Sequence, residues 1–480
     1  LSVLNLKYTK KFLMQGLKTS NNEKYYLLCK QKLILSLEQL TKDSLNEFQK
    51  EKVNYIATLI IQSMTGTWRY FHTPEHIFEV GGESDPIEIL AALFHDMIYT
   101  QVDHGIHINL SGYIYPYVRE KQNSLYILPD SEIQQTQIIE FLLLIFDFKK
   151  GQNLSPFGGQ NEFLSALVAV QCLSEFLPLH YLAEIGACIE ATIPFRKHQN
   201  GKSPYDFLRE RLELVNKKFL FNWTSNYIDE ILYRCIRMAN RDIENFGSPN
   251  PIKFLDNTWN LMPETNHDLK APSSYSIEGY RTSMTKMLNF LNTLVPEQIF
   301  HQYKGEPCDE RLLELYENTR RNLQIANLYL QSKILTIGIL EALSYRIGRS
   351  IALSTLIGEI PVNGMVIPTL DYFLPTIPRP YVPQDPIEEI VLDALTYGRQ
   401  QETTYDMKNS PITAFLVKAI GFSEVKKLYQ KLNDFYAQKI EADTFLAQCD
   451  PFVLRSILNG IVKLFRERKR NLIKFPKGQK

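Results

Sequence analysis

The sequence predicts an all-α protein, and three observations carry that reading. Apolar residues recur at helical spacing along most of the chain, and no convincing alternating strand series interrupts them. Proline repeatedly follows a residue able to cap a helix, as in Thr73-Pro74 and Asp85-Pro86. The 480 residues are 44% hydrophobic and 22% charged, ordinary values for a globular chain that can bury two or three separate cores.

In order, the pattern places helices at 24–42 and 46–64, a short one opened by Thr73-Pro74, and another opened by Asp85-Pro86. Helices at 131–148, 161–176, 178–191, 205–219 and 226–246 follow, and Gly247-Ser248-Pro249-Asn250-Pro251 is a stop. Beyond it, helices are expected at 275–293, 309–346, 385–398, 409–419, 422–437 and 450–470. Residues 360–386 are the exception. Pro361, Pro368, Pro375, Pro378, Pro380, Pro383 and Pro386 exclude a regular helix. Tyr372, Phe373 and Tyr381 in the same stretch point to an ordered extended crossover, since a flexible linker is poorer in aromatics. The chain thus divides into an N-terminal helical segment (1–44), a helical domain (45–247) and a mostly helical C-terminal region (251–480).

Charge excludes some partners. Lys+Arg and Asp+Glu both number 53, so no bulk field favours nucleic acid or acidic membranes. The basic end from Arg466 to Lys480 reads as a solvated helix end and tail. No stretch approaches the ~18–20 apolar residues of a membrane span. The N-terminal end lacks a signal-peptide core, which predicts a cytoplasmic protein and leaves signal-less export open. Six scattered cysteines without a CxxC pair suit buried thiols in a reducing compartment.

The chemistry concentrates in one region. His95-Asp96 lies within Ile89-Leu90-Ala91-Ala92-Leu93-Phe94-His95-Asp96-Met97-Ile98-Tyr99, where every other residue is apolar or aromatic. A helix apolar all round is buried, and a buried carboxylate needs compensation. A metal ion best suits an adjacent imidazole and carboxylate. Just upstream stands Arg69-Tyr70-Phe71-His72-Thr73-Pro74-Glu75-His76, so five of the nine histidines (His72, His76, His95, His104, His107) share one region. Asp242 is the distant candidate. It continues the apolar stripe Ile231, Cys235, Met238 at helical spacing, where a core residue belongs. Its alternatives are ligation of a metal or a salt bridge to Arg241 or Arg196. By contrast, His180 and Glu184 read as a helix surface pair.

With these residues the chain resembles the HD-domain superfamily of metal-dependent phosphohydrolases, whose pattern is a His, a later His-Asp pair and a distant Asp in an all-α domain. The resemblance covers roughly residues 45–247. It implies an HD-domain-like helical bundle with a C-terminal helical extension, and His72, His95, Asp96 and Asp242 as metal ligands. Asp103 is a fallback for the last position. The upstream block is similar to a subgroup reading Arg-x-Tyr-His-x-x-x-His, with Tyr70 shifted by one place. Where relatives carry acidic residues soon after the pair, to position a water or help a second metal, this chain has Asp103-His104-Gly105-Ile106-His107.

Such a shell of two imidazoles and two carboxylates suits one divalent transition ion, Mn²⁺, Fe²⁺, Ni²⁺, Co²⁺ or Zn²⁺, and Mg²⁺ less well. Asp96 would bind the metal and accept a proton from its water. Arg69 would hold the substrate phosphate, for which a guanidinium fork is suited. His76 would bind phosphate or protonate a leaving group, or else cap and pack its helix. Arg196 is a further phosphate-binding candidate. His104 and His107 would line the pocket or, with Asp103, bind a second metal, or form a plain polar loop. The implied function is hydrolysis of a small phosphorylated substrate, a nucleotide among the options. The alternative is a catalytically degenerate metal- or nucleotide-binding module. The C-terminal region would then serve a protein partner or self-association.

Overall fold

A computed structural model describes residues 20–122, 124–269, 275–346, 353–354 and 369–464. The chain is all-α and forms two compact units, one from residues 1–244 and 295–316, the other from 245–294 and 317–480. The helix that begins at Ser20 buries Cys29, Leu33 and Leu37 in the first core. No described helix is long and apolar enough to cross a membrane.

The first unit contains α1 (Ser20–Thr41), α2 (Glu47–Met64), α3 (Pro74–Gly81), α4 (Pro86–His95), α5 (Gln137–Phe146), α6 (Gln160–Leu173), α7 (Leu179–Ala191), α8 (Pro204–Phe219) and α9 (Ser225–Asp242). Side chains start these helices where the sequence supplies a cap. Asn46 and Gln49 form a reciprocal capping box for α2, Ser203 and Asp206 one for α8, and Asp85 accepts from the Ile87 and Glu88 amides at α4. Proline at the first position of α3, α4 and α8 lacks only an amide hydrogen that a helix start leaves unused.

Helix α4 packs on α1, α3, α6, α7 and α9, and every residue from Ile87 to His95 is buried. Its all-round apolarity is thus matched by neighbours on every side. Three arginines of α9 tie it to this core. Arg234 bonds Asp85 and Glu184, and Arg237 and Arg241 share the buried Glu88. Glu184 is itself buried and accepts from Tyr227, so it is not the surface partner of His180 that the spacing suggests.

Three local differences from the sequence reading have physical causes. Helix α5 starts at Gln137 because Thr136 caps it, Oγ1 accepting from the Ile139 amide. A short antiparallel hairpin, β1 (Val118–Lys121) with β2 (Ser124–Ile127), carries no readable alternation in strands of four residues. Helix α9 ends at Asp242, and one 3₁₀ turn (Glu244–Gly247) follows.

In the second unit, α10 (Pro251–Thr265), α11 (Ile277–Thr293), α12 (Asp309–Ser344, entering this unit at Glu317), α13 (Pro386–Tyr397), α14 (Pro411–Tyr436) and α15 (Pro451–Leu464) supply the core. Helix α10 is absent from the sequence reading. Asn250-Pro251 ends one segment and also starts the next, Asn250 accepting from the Ile252 and Lys253 amides. Helix α14 is one run broken at Gly421, whose φ of 74° and close approach to the Tyr381 ring exclude a side chain. Pro361 and Pro368 of the proline-rich stretch lie outside the described residues, as does the basic end beyond residue 464. The described remainder of that stretch is ordered. Tyr381 donates its amide to Lys418 O and its hydroxyl to Glu388, and packs edge-on to Phe422.

Candidate metal centre

Four side chains from three helices of the first unit converge. His76 stands in the first turn of α3, His95 and Asp96 at the end of α4, and Asp242 at the end of α9. One ligand-type atom from each lies within 4.8 Å of the others, and among the described residues this is the group able to hold a metal ion. His76 Nε2 is 2.9 Å from Asp242 Oδ1 and 3.4 Å from Asp96 Oδ2. His95 Nε2 is 3.0 Å from Asp96 Oδ2 and 3.3 Å from Asp242 Oδ1.

The box asks for a cation. His95 Nδ1 bonds the Ala92 carbonyl at 2.8 Å, so Nδ1 carries the hydrogen and Nε2 turns a lone pair into the box. Asp96 Oδ2 is buried and no donor reaches it with a hydrogen bond's angles, although both imidazoles are within ion-pair distance. Two carboxylates facing two neutral imidazoles leave two negative charges, which a divalent ion balances. Protons are the other way to balance them. Burial opposes charge on both rings, but Asp242 and Asp96 overcome it, lifting His76 to about 9 and His95 well above its usual range. Burial likewise opposes the Asp96 carboxylate, yet His95 and then His72 hold it well below the usual range. Asp242 is lowered despite burial by hydrogen bonds from His76 and His95.

Three expected ligands, His95, Asp96 and Asp242, thus meet, and the fourth is His76 instead of His72. His76 is inside α3 and faces α4 and α9. His72 precedes the helix, and its ring lies edge-on to Tyr99 at 4.7 Å and to His76 at 5.8 Å. Neither arginine weighed as the partner of Asp242 reaches it: Arg241 bonds Glu88 and Val80 O, and Arg196 bonds Glu190.

The phosphate-binding expectations fare differently. Arg69 is buried with its Nε and Nη2 on the two oxygens of Asp103, at 2.9 and 2.6 Å, and its Nη1 on the Asp96 carbonyl at 2.9 Å. It is a brace for the segment carrying Asp96, and Asp103, the fallback ligand, is its counter-ion. Arg196 shares Glu190 with Arg211. His104 is exposed, left-handed at φ 58°, and edge-on to Trp68. His107 is exposed and caps a 3₁₀ turn, Nδ1 accepting from the Asn109 amide. Neither belongs to the four-residue group.

The sequence reading missed Glu162. Near it, Asn161 accepts from the Thr100 amide and Ser165 from the Ile98 amide, tying α6 to the turn after His95-Asp96. Glu162 Oε2 is buried without a partner. Burial lifts its carboxyl to about 7, and the Asp96 and Asp242 charges add to the rise. The available signal was an acid in the first helical turn, just before the run Phe163-Leu164-Ser165-Ala166-Leu167-Val168, in which Ser165 is the one polar residue. No protein-family model matches the chain, and no curated protein or solved structure matches it either.

Proposed function

We propose that the chain is a metal-dependent hydrolase of a small phosphate ester, with a nucleotide among the candidate substrates. The observation that carries the reading is the box of His76, His95, Asp96 and Asp242 with Asp96 Oδ2 left without a hydrogen bond inside it. The order of these residues agrees with the HD-domain superfamily that the sequence resembles, with His76 as the first histidine. A divalent transition ion bound there would supply a Lewis acid and a water acidic enough to attack near neutral pH. The chain's own residues then do the following work. The Ala92 carbonyl fixes the tautomer of His95. Arg69 fixes the backbone at Asp96. Glu162, whose buried carboxyl is lifted to about 7 and senses the Asp96 and Asp242 charges, is the group suited to exchange a proton with a reacting oxygen.

One observation favours a second reading. Arg69 and Arg196, the cations the sequence offers to a phosphate, are both engaged by carboxylates. That suits a metal-binding module without turnover, acting on a protein partner through its C-terminal region. The test is metal content by plasma mass spectrometry on native protein and on Asp96→Ala, prepared without chelator or histidine tag, then a phosphoester panel with the ion found. Near-stoichiometric metal lost in the variant, with turnover, is expected. Metal without turnover moves the assignment to the module. No metal in either protein, even after incubation with Mn²⁺, Fe²⁺, Ni²⁺, Co²⁺ or Zn²⁺, overturns both.

A further inference from the structure

The second unit contains a cleft of about 750 Å³. This lies within the roughly 300–1,000 Å³ of small-ligand sites. Its floor is apolar, with Leu291, Leu294 and Leu328 buried. Its walls are carboxamides. Gln324, Asn327 and Gln331 line it from α12, and Gln430 and Asn433 line it from α14. Spacings of three and four put each set on one helix face. The α12 row spans seven residues, about 10 Å along the axis.

The amides are arranged for a ligand that both donates and accepts. Gln331 Nε2 donates to Asn327 Oδ1, and Asn327 Nδ2 donates to Asn292 Oδ1, so three of them are linked head to tail. The exposed side-chain amides of Gln324, Gln430 and Asn433 make no hydrogen bond among the described residues. The acids at the cleft already have partners. Asp385 caps α13 through the Glu388 amide, and Glu388 accepts from the Tyr381 hydroxyl and the Gln384 amide. Among the described residues, Lys426 is the one cation lining the cleft, too little for a polyphosphate. A single ring, Tyr429, is a poor platform for stacked sugars or bases.

We propose that this cleft binds an extended, uncharged segment of a partner polypeptide through its main chain. A carboxamide offers one donor side and one acceptor side, the complement of a peptide unit. A row of about 10 Å matches three residues of extended chain at ~3.3 Å each. Alternate side chains of such a segment face opposite ways, so every second one meets the leucine floor and the others face out. Neutral amides pair with any backbone, and the floor selects for apolar residues at alternate positions.

The probe is a positional-scanning library of acetylated, amidated hexapeptides on the full chain, read by fluorescence anisotropy. The best peptide is then remade with single backbone N-methyl groups. The expected result is apolar selection at alternate positions, with binding weakened about fivefold by Gln430→Ala, by Asn433→Ala and by an N-methyl group at a bonded position, one neutral hydrogen bond each. Both residues are exposed, so an unchanged melting temperature is expected to accompany the loss. Absence of binding at millimolar peptide overturns the proposal. So does binding insensitive to both variants and to N-methylation, or preferential binding of a neutral oligosaccharide or nucleoside in a parallel titration.

Discussion

Asp96 in the first unit and Asp406 in the second both stand in buried polar clusters, and the clusters are built in opposite ways. Asp406 Oδ2 accepts from Trp259 Nε1 and the Tyr280 hydroxyl, each at 2.7 Å, and from Lys333 Nζ at 2.8 Å. Arg399 lies 3.7 Å away, and its guanidinium rests 4.4 Å from the Trp259 ring. The protein itself supplies the compensating charge. Asp96 Oδ2 has no such donor, and its surroundings add a second carboxylate and an unpartnered Glu162. A cluster that fixed charges complete fastens helices together, whereas a cluster that the chain can balance only by taking up protons is a place where a cation can bind instead.

The largest expected effect tests that contrast directly. Asp406→Ala leaves Lys333 buried without its carboxylate and should cost about 3–5 kcal/mol of stability in urea unfolding. In chelator-treated protein, Asp96→Ala should cost less than half as much, because the His76 and His95 imidazoles left behind can shed their protons and stay neutral, whereas Lys333 keeps its charge. Equal losses would break the distinction between the two clusters.

Stability against pH sharpens it. A Glu162 carboxyl raised from 4.5 to about 7 makes the folded state hold a proton that the unfolded state has released. Metal-free protein therefore loses stability as pH rises from about 4.5 through about 7, by at most about 3 kcal/mol from this group. Glu162→Gln should remove that loss. Glu184, raised to about 7 chiefly by burial, titrates in the same window and remains in the variant. The imidazolium of His76 adds a later loss, since stability present below about 6.5 disappears as pH rises through about 9. Unfolding from pH 4.5 to 9.5 with and without the substitution separates these contributions. A pH profile unchanged by Glu162→Gln would remove Glu162 from the site.

Arg69→Ala should weaken metal binding by about 10–100-fold without touching a ligand, as expected for a residue that orients one. Its bonds to Asp103 and the Asp96 carbonyl are the reason. Isothermal titration with the ion identified would check it, and an unchanged affinity would reduce Arg69 to a packing role.

What the sequence made legible follows from locality. Proline starts, the buried His95-Asp96 helix and the carboxylate ending the stripe of Ile231, Cys235 and Met238 are all visible within a few turns of chain. Pairings made by tertiary packing were not. Nothing near Arg69 announces Asp103 as its counter-ion, and nothing near Asp96 announces Glu162, which arrives from α6. Helix α10 was hidden because one Asn-Pro pair serves as both stop and start. Strands as short as Val118–Lys121 carry too few residues for a period to show.

The smallest expected effect concerns the choice between two histidines four residues apart. His-x-x-x-His does not say which imidazole enters the box, because either spacing fits one turn of helix. The fold decides by starting α3 at Pro74, which puts His76 on the helix and leaves His72 outside it. His76→Ala should therefore lower metal affinity by about tenfold or more, as loss of a ligand or orienting group does. His72→Ala should lower it by no more than about twofold, the scale of a partly screened charge. That remnant has a cause, since the charge on His72 helps hold the Asp96 carboxylate down. A loss as large for His72→Ala as for His76→Ala would return His72 to the ligand set.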